Sequence, residues 1–345
     1  MREAFDIGGT KIKAGTRETV LIPLSRLADH TDMMLKAHVV HGKKPGPTMF
    51  VSGAVHGDEI IGVEIIRRIS RMKMLSRIKG TLILIPVVNS YGFLGMSRYL
   101  PDRRDLNRVF PGIENGSPAS QLAYTFMKEI VSKSDYGIDL HSGAIHRENL
   151  PQIRANLDTP EVKEIATAFG ASIMLNSNLR DGSLREAAQK VGCHMLLFEA
   201  GEALRFNETA IRIGVKGAFG VMRHAGMLPK LKPSSKRIAP VQPASSHWMR
   251  APISGLMRAA HGLGDVVKKG SVIASVSGPL GEMEADVIAK YSGVIIGRTN
   301  LPIVNRGDAL FHIARFDDLE DAETTIETRV ENAEVDPLFD GIEIV

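Results

Sequence analysis

One cysteine stands in a chain of 345 residues. A lone Cys193 excludes an intramolecular disulfide and a cysteine-built zinc site. Its place in the apolar run after Gly192 fits a small buried residue, not a nucleophile. Aromatics make up only 5% of the chain, and no stretch interleaves them with bases, which argues against a nucleic-acid surface. No run approaches the ~20 uninterrupted apolar residues of a membrane span. Met1 to Thr10 lacks a basic segment followed by an apolar one, so no secretory signal is expected, and the cytoplasm is the expected location.

What is present is an ordinary globular composition, 43% hydrophobic and 24% charged. The length suffices for a large core and two domains. The net charge of +4 conceals an asymmetry: residues 316–345 carry eleven acids and one base, Arg329, so the remainder stands at +14. A basic body focuses small anionic substrates toward a cleft. The acidic end is expected to dock partly on that body through Leu338, Phe339, Ile342, Ile344 and Val345, as against a fully solvated tail.

Residues 11–53 read as β-rich, with strands at Glu18–Ile22, Met33–Val40 and Thr48–Ser52, so that 1–45 forms a β-rich lead-in to the catalytic domain. A helix is expected from about 58 to 75, with apolar residues at 61, 65, 66 and 69. The continuous apolar run Thr81–Val88 fits a strand buried on both faces. Further helices are expected at Ser117–Ser132 with Ser120 as N-cap, at 160–169, at Ser183–Val191 with Ser183 as N-cap, and at 207–225. Strands are expected at Tyr136–Gly143, Ala171–Leu175 and His194–Phe198. Alternating strand and helix from 48 to 225 predicts one α/β sheet domain. After a Pro-rich linker within 230–243, glycine-punctuated β runs over 247–315 predict a small all-β barrel or sandwich. The domains are thus expected at 1–235, 236–315 and an acidic tail, 316–345.

Chemistry concentrates where strands end. His56 and Glu59 follow the strand at Val51, three residues apart, so that both side chains reach one point. Gly53 and Gly57 nearby are expected to let the backbone turn and to leave room for a ligand. Such a pair occurs widely by chance, and the rest of the chain must support it. His141 ends another strand. Two imidazoles and a carboxylate leave zinc an open position for water. Glu199, at a further strand end, stands where a general base and acid belongs, with Glu202 as a rim carboxylate. Asp139 is a candidate partner for a ligand histidine, and Asp58 for the dipole at the helix start. Arg98, Asn107 and Arg108 lie in the long polar loop from Asn89 to Gly112 and suit a carbonyl and a carboxylate. Ser142 has no elbow pattern around it, which argues against a serine nucleophile.

Four motifs in order, His56-Gly-Asp-Glu59, Asp105-Leu-Asn-Arg-Val-Phe-Pro-Gly112, Asp139-Leu-His-Ser-Gly143 and Phe198-Glu-Ala-Gly201, resemble the succinylglutamate desuccinylase/aspartoacylase family of the zinc carboxypeptidase clan. The resemblance covers residues 45–225. It implies a carboxypeptidase-like mixed sheet flanked by helices and one Zn2+ per chain on His56, Glu59 and His141. It also implies Glu199 as the catalytic carboxylate, and Asn107 and Arg108 as the grip on a substrate carboxylate. Arg98 would polarise the carbonyl, with Arg103 and Arg104 as competitors for that role. The expected activity is zinc-dependent hydrolysis of an N-acyl amide on a small anionic substrate. A metallocarboxypeptidase and a non-enzymatic binding protein on the same fold are the alternatives. No nucleic-acid or membrane partner is expected, and a homo-oligomer is compatible with the sequence. Residues 264–273 and 305–312 resemble a lipoyl/biotinyl-like barrel. The hairpin Ser277–Met283 has no lysine, so neither modification is expected.

Overall fold

The computed structural model describes residues 2–26, 29–231 and 239–336. The strands are β1 (Phe5–Ile7), β2 (Thr10–Ile12), β3 (Thr16–Arg26), β4 (Asp32–His41), β5 (Lys44–Gly53), β6 (Lys79–Ile85), β7 (Tyr136–Gly143), β8 (Arg147–Ala155), β9 (Ile173–Asn176) and β10 (His194–Glu202). The later strands are β11 (Ser245–Arg250), β12 (Gly255–Ala259), β13 (Val266–Val267), β14 (Val272–Ser277), β15 (Ala285–Ile288), β16 (Gly293–Thr299), β17 (Ile303–Val304) and β18 (Ala309–Arg315). The helices are α1 (Ile61–Arg71), α2 (Ser90–Leu94), α3 (Pro118–Glu129), α4 (Pro160–Phe169), α5 (Leu184–Lys190), α6 (Glu208–His224) and α7 (Leu319–Glu334).

A 12-stranded mixed sheet runs β11-β18-β16-β8-β10-β7-β5-β6-β4-β3, with β13 on β16 and β9 on β8. Its centre, β6-β5-β7-β10, is parallel, and antiparallel strands flank it on both sides. The central strands bury both faces. Met49, Val51, Leu82 and Leu84 pack with α1, α4 and α6, whereas Phe50, Ile83 and Ile85 pack with α3 and α5. That two-sided burial explains why 81–88 reads as an unbroken apolar run. The fold is the expected α/β mixed sheet flanked by helices.

The C-terminal strands add a four-stranded antiparallel sheet, β15-β14-β12-β17, over a core of its own containing Ile273, Val287 and Phe311. They do not stand apart, because β16 pairs with β8 through Gly297↔Asn149, Arg298↔Glu148 and Thr299↔Arg147.

Several boundaries differ from expectation. Ser117, not Ser120, caps α3: its hydroxyl accepts from Ser120 N, and Pro118 follows as the first helical residue, where its missing N–H costs nothing. β8 lies in a stretch for which the sequence reading assigned no element. Part of the acidic C-terminal segment is helical: α7 buries Ala322, Thr325, Ile326 and Ala333. Arg212 of α6 donates to Glu334 O, and Lys216 pairs with Asp336. The apolar residues expected to dock the tail, 338–345, lie outside the described residues. No helix among the described residues is long and apolar enough to cross a membrane.

Candidate active site

Four parallel strands deliver their ends to one crevice, where function sits in open α/β sheets. β5 ends at Gly53, and the chain turns through Ala54, at φ 50°, to His56 and Glu59 before α1 begins. β7 carries Asp139 and His141, β10 carries Glu199, and the loop after β6 carries Arg98 to Arg108.

The two glycines of the first turn do not make room for a ligand, as the sequence had suggested. A Cβ on Gly57 would lie 1.9 Å from the Gly92 carbonyl carbon, and one on Gly53 would lie 2.9 Å from that of Gly62. They admit α2 and α1, whose backbones wedge the turn in place.

His56, Glu59 and His141 are all buried, and their ligand atoms lie within 4.8 Å of one another. Among the described residues they are the one group of three or more metal-ligating side chains that close together. Both rings face Glu59 through Nδ1: His56 Nδ1 is 2.8 Å from Glu59 Oε1, and His141 Nδ1 is 2.7 Å from Oε2. Both rings meet a carboxylate through Nε2: His56 with Asp105 Oδ1 at 3.0 Å, and His141 with Asp139 Oδ2 at 2.6 Å. A proton on each Nε2, donated to aspartate, leaves both Nδ1 lone pairs directed at the glutamate. Two acceptors set face to face need a cation between them, a proton or a metal ion.

The electrostatics agree. Burial pulls His56 down, but the charge of Glu59 and the hydrogen bonds to Asp105 and Glu59 outweigh it and raise the ring above its ordinary value. His141 rises well above the usual range, with burial overcome by Asp139 and Glu59. Burial pushes Glu59 up, but the two rings hold it far below the usual carboxylate range. Asp105 is likewise depressed, its burial offset by His56 and Arg98. With neutral rings, Glu59, Asp105 and Asp139 against Arg98 leave two negative charges. That excess, with two nitrogens and one carboxylate as donors, fits a divalent metal ion and not a bare cluster.

Arg98 settles beside this group. Its Nη1 donates to Glu59 Oε1 at 2.9 Å, and its Nη2 to Asp105 Oδ2 at 2.9 Å. Arg103 and Arg104 are exposed; Arg104 Nε lies 3.8 Å from Asp102. Asn107 is buried, and its Oδ1 accepts from Leu184 N at the start of α5. Arg108 is exposed, on the turn Leu106–Arg108 that also carries Asn107. Glu199 pairs in register with His141 across β10 and β7. Its Oε1 accepts from Asn149 Nδ2 at 2.7 Å, and its Oε2 lies 2.8 Å from Arg154 Nε. Glu202 accepts from His146 N and Asn300 Nδ2. Asp58 is buried ahead of α1 and caps no helix; Ile60 holds the cap position.

Asp105, Asn149 and Arg154 escaped the sequence reading as site residues. Asp105 was visible as the first residue of a quoted motif; the other two lie on the strand that was not foreseen.

The sequence pattern of the succinylglutamate desuccinylase/aspartoacylase catalytic domain matches residues 45–225, more than half the chain. The chain belongs to this family. It is 29% identical over 281 residues to the N-alpha-acetyl-L-2,4-diaminobutyric acid deacetylase of Halomonas elongata, covering 78% of this chain and 82% of the relative. The product-bound structure of the ectoine utilization protein EutE (DoeB) from Ruegeria pomeroyi superposes with a TM-score of 0.78 at 23% identity, over 87% of this chain and 95% of that one. A succinylglutamate desuccinylase from Silicibacter gives 0.76 at 25% identity, over 87% and 94%. The mixed sheet and its C-terminal strands are therefore shared across the family fold.

Proposed function

We propose that the chain is a zinc-dependent deacylase that hydrolyses the N-acyl amide of a small, carboxylate-bearing amino acid. The observation that carries this reading is the register of Glu199 against His141, which sets a carboxylate beside the His56–Glu59–His141 group without making it part of that group. Zinc held by those three residues would supply Lewis acidity, acidifying a water and polarising a carbonyl.

The remaining work belongs to side chains. Glu199 takes the proton from water as the water oxygen bonds to the carbonyl carbon. The C–N bond then breaks, and Glu199 returns the proton to the departing nitrogen, giving a carboxylate and an amine. Arg98, steered by Asp105, turns its guanidinium to the oxygen that gains charge. Asn107, its Oδ1 tied to Leu184 N, keeps its amide N–H groups for the substrate carboxylate, with Arg108 as the second grip. Arg98 takes the polarising role over Arg103 and Arg104 because it alone of the three pairs with Glu59.

Likeness to a deacetylase of N-alpha-acetyl-L-2,4-diaminobutyric acid makes that compound the first substrate to try. A peptidase reading is disfavoured by Asn300, whose backbone N–H donates to His146 O at 2.7 Å, so the C-terminal strands close on the loop after β7 at the crevice mouth. The test is amine release from zinc-loaded protein offered N-acetyl and N-succinyl amino acids, acylated diamines and short peptides. Turnover of the acyl amino acids is expected. Cleavage of peptides alone would overturn the deacylase reading, and near-zero zinc after reloading would overturn the metal assignment.

A further inference from the structure

Both oxygens of Glu199 are held, one by Asn149 and one by Arg154. These two residues are five apart on β8. In a regular strand an odd separation sends side chains to opposite faces. The register with β10 shows why they converge. Gln152 faces Glu199, and Asn149 faces Gly201, so three steps on β8 span two on β10. The extra residue lies at Leu150–Pro151, a β-bulge where proline, having no N–H for the ladder, is tolerated. The bulge turns Asn149 onto the face of Glu199.

Space for the Asn149 side chain comes from the C-terminal strands. Gly297 of β16 is in register with Asn149 on one side and with His312 of β18 on the other. A Cβ on Gly297 would lie 2.7 Å from Asn149 Oδ1 and 3.3 Å from His312 Cβ. Any side chain there displaces the amide or the strand.

We propose that Asn149 is a positioning residue for Glu199, aimed by the β8 bulge and given room by Gly297. This rests on the reading of Glu199 as the base. The amide donor fixes the orientation of the carboxylate. Each carboxylate oxygen keeps a second lone pair, so a proton can still be accepted on the open side. The C-terminal strands thereby act on the reaction without touching the substrate.

The experiment uses zinc-loaded Asn149→Ala, Gly297→Ala and the double variant, assayed on the N-acyl amino acid identified in the substrate panel, with Glu199→Gln as reference. Asn149→Ala is expected to lower kcat about tenfold or more, by the scale of lost supporting hydrogen bonds, with KM and bound zinc unchanged. The acid limb of the kcat/KM profile should move to higher pH, because the charged carboxylate has lost a donor. Gly297→Ala should reproduce the loss alone and add little to Asn149→Ala, since the clashing Oδ1 is then gone. A purely structural role would lower Tm and leave the acid limb in place. Should Asn149→Ala fail to fold, the isosteric Asn149→Asp keeps the volume and should move the acid limb further. Wild-type kcat and an unmoved limb in either variant, with Glu199→Gln inactive, would overturn the inference alone. An active Glu199→Gln would overturn the base assignment beneath it.

Discussion

The two glutamates of the crevice are held in opposite ways. Glu59 is surrounded by His56, His141, Arg98 and the backbone N–H of Ser142, and it is almost wholly buried. An ionised carboxylate persists there only because cationic and donor groups surround it. Glu199 has a neutral amide and one guanidinium, and it keeps an open side. The first setting keeps a carboxylate charged, as the proposed metal ligand requires. The second holds a carboxylate in place by two side chains and leaves one side open, the setting the proposed base needs. Residue type is the same; the difference lies in which strands surround it. The ends and loops of the parallel strands surround Glu59, whereas antiparallel β8 supplies both partners of Glu199.

The contrast breaks most visibly if the ligand side is removed. His141→Ala and Glu59→Ala should lose bound zinc, measured by metal analysis after dialysis, and activity should fall to background. If either keeps full zinc, the two sides are not distinct. Glu199→Gln should keep zinc at wild-type stoichiometry while kcat falls about 10²- to 10⁴-fold, the range of general acid–base contributions. Asp139→Asn keeps the shape of the ring's partner and removes its charge; zinc affinity should weaken about 10- to 100-fold in a chelator competition. An unchanged affinity would show that His141 is oriented by packing alone.

A smaller effect concerns stability at the flank. Burial, followed by Arg154 and His247, pushes His312 down from 6.5 to about 3. The unfolded chain therefore binds more protons than the folded one between those values. The stability that His312 contributes as a neutral ring is present above pH 6.5 and is lost as pH falls toward 3. Between pH 7 and pH 5 this amounts to ~2 kcal/mol. His312→Phe should flatten urea-unfolding stability over that interval, and an unaltered pH slope would reject the assignment.

Much of the site was legible because strand ends announce themselves. His56, Glu59, His141 and Glu199 each lie near the end of an apolar run and before a glycine or a helix, and the order of their four motifs along the chain supplied what local spacing could not. Arg98 could not be separated from Arg103 and Arg104 by sequence, since only its pairing with Glu59 and Asp105 distinguishes it. Asn149 was illegible for a different reason. Its segment contains Pro151, which reads against a strand, and its side chain reaches Glu199 only through a bulge whose register depends on β10. Gly53 and Gly57 were misread because the groups they admit, the backbones of α1 and α2, arrive from elsewhere in the chain. α7 was obscured by weak amphipathicity, with small residues such as Ala322 and Ala333 on its buried side.

The pairing of β16 with β8 has a practical consequence. The family pattern ends at residue 225, yet a chain cut there would leave β8 without its neighbour β16. Arg147, Glu148 and Asn149 would lose their strand neighbours and present an open edge. Unpaired backbone groups along such an edge recruit other chains. Truncation would thus give a sticky protein before it gave an inactive one, and the unit to express, engineer or transplant includes the C-terminal strands.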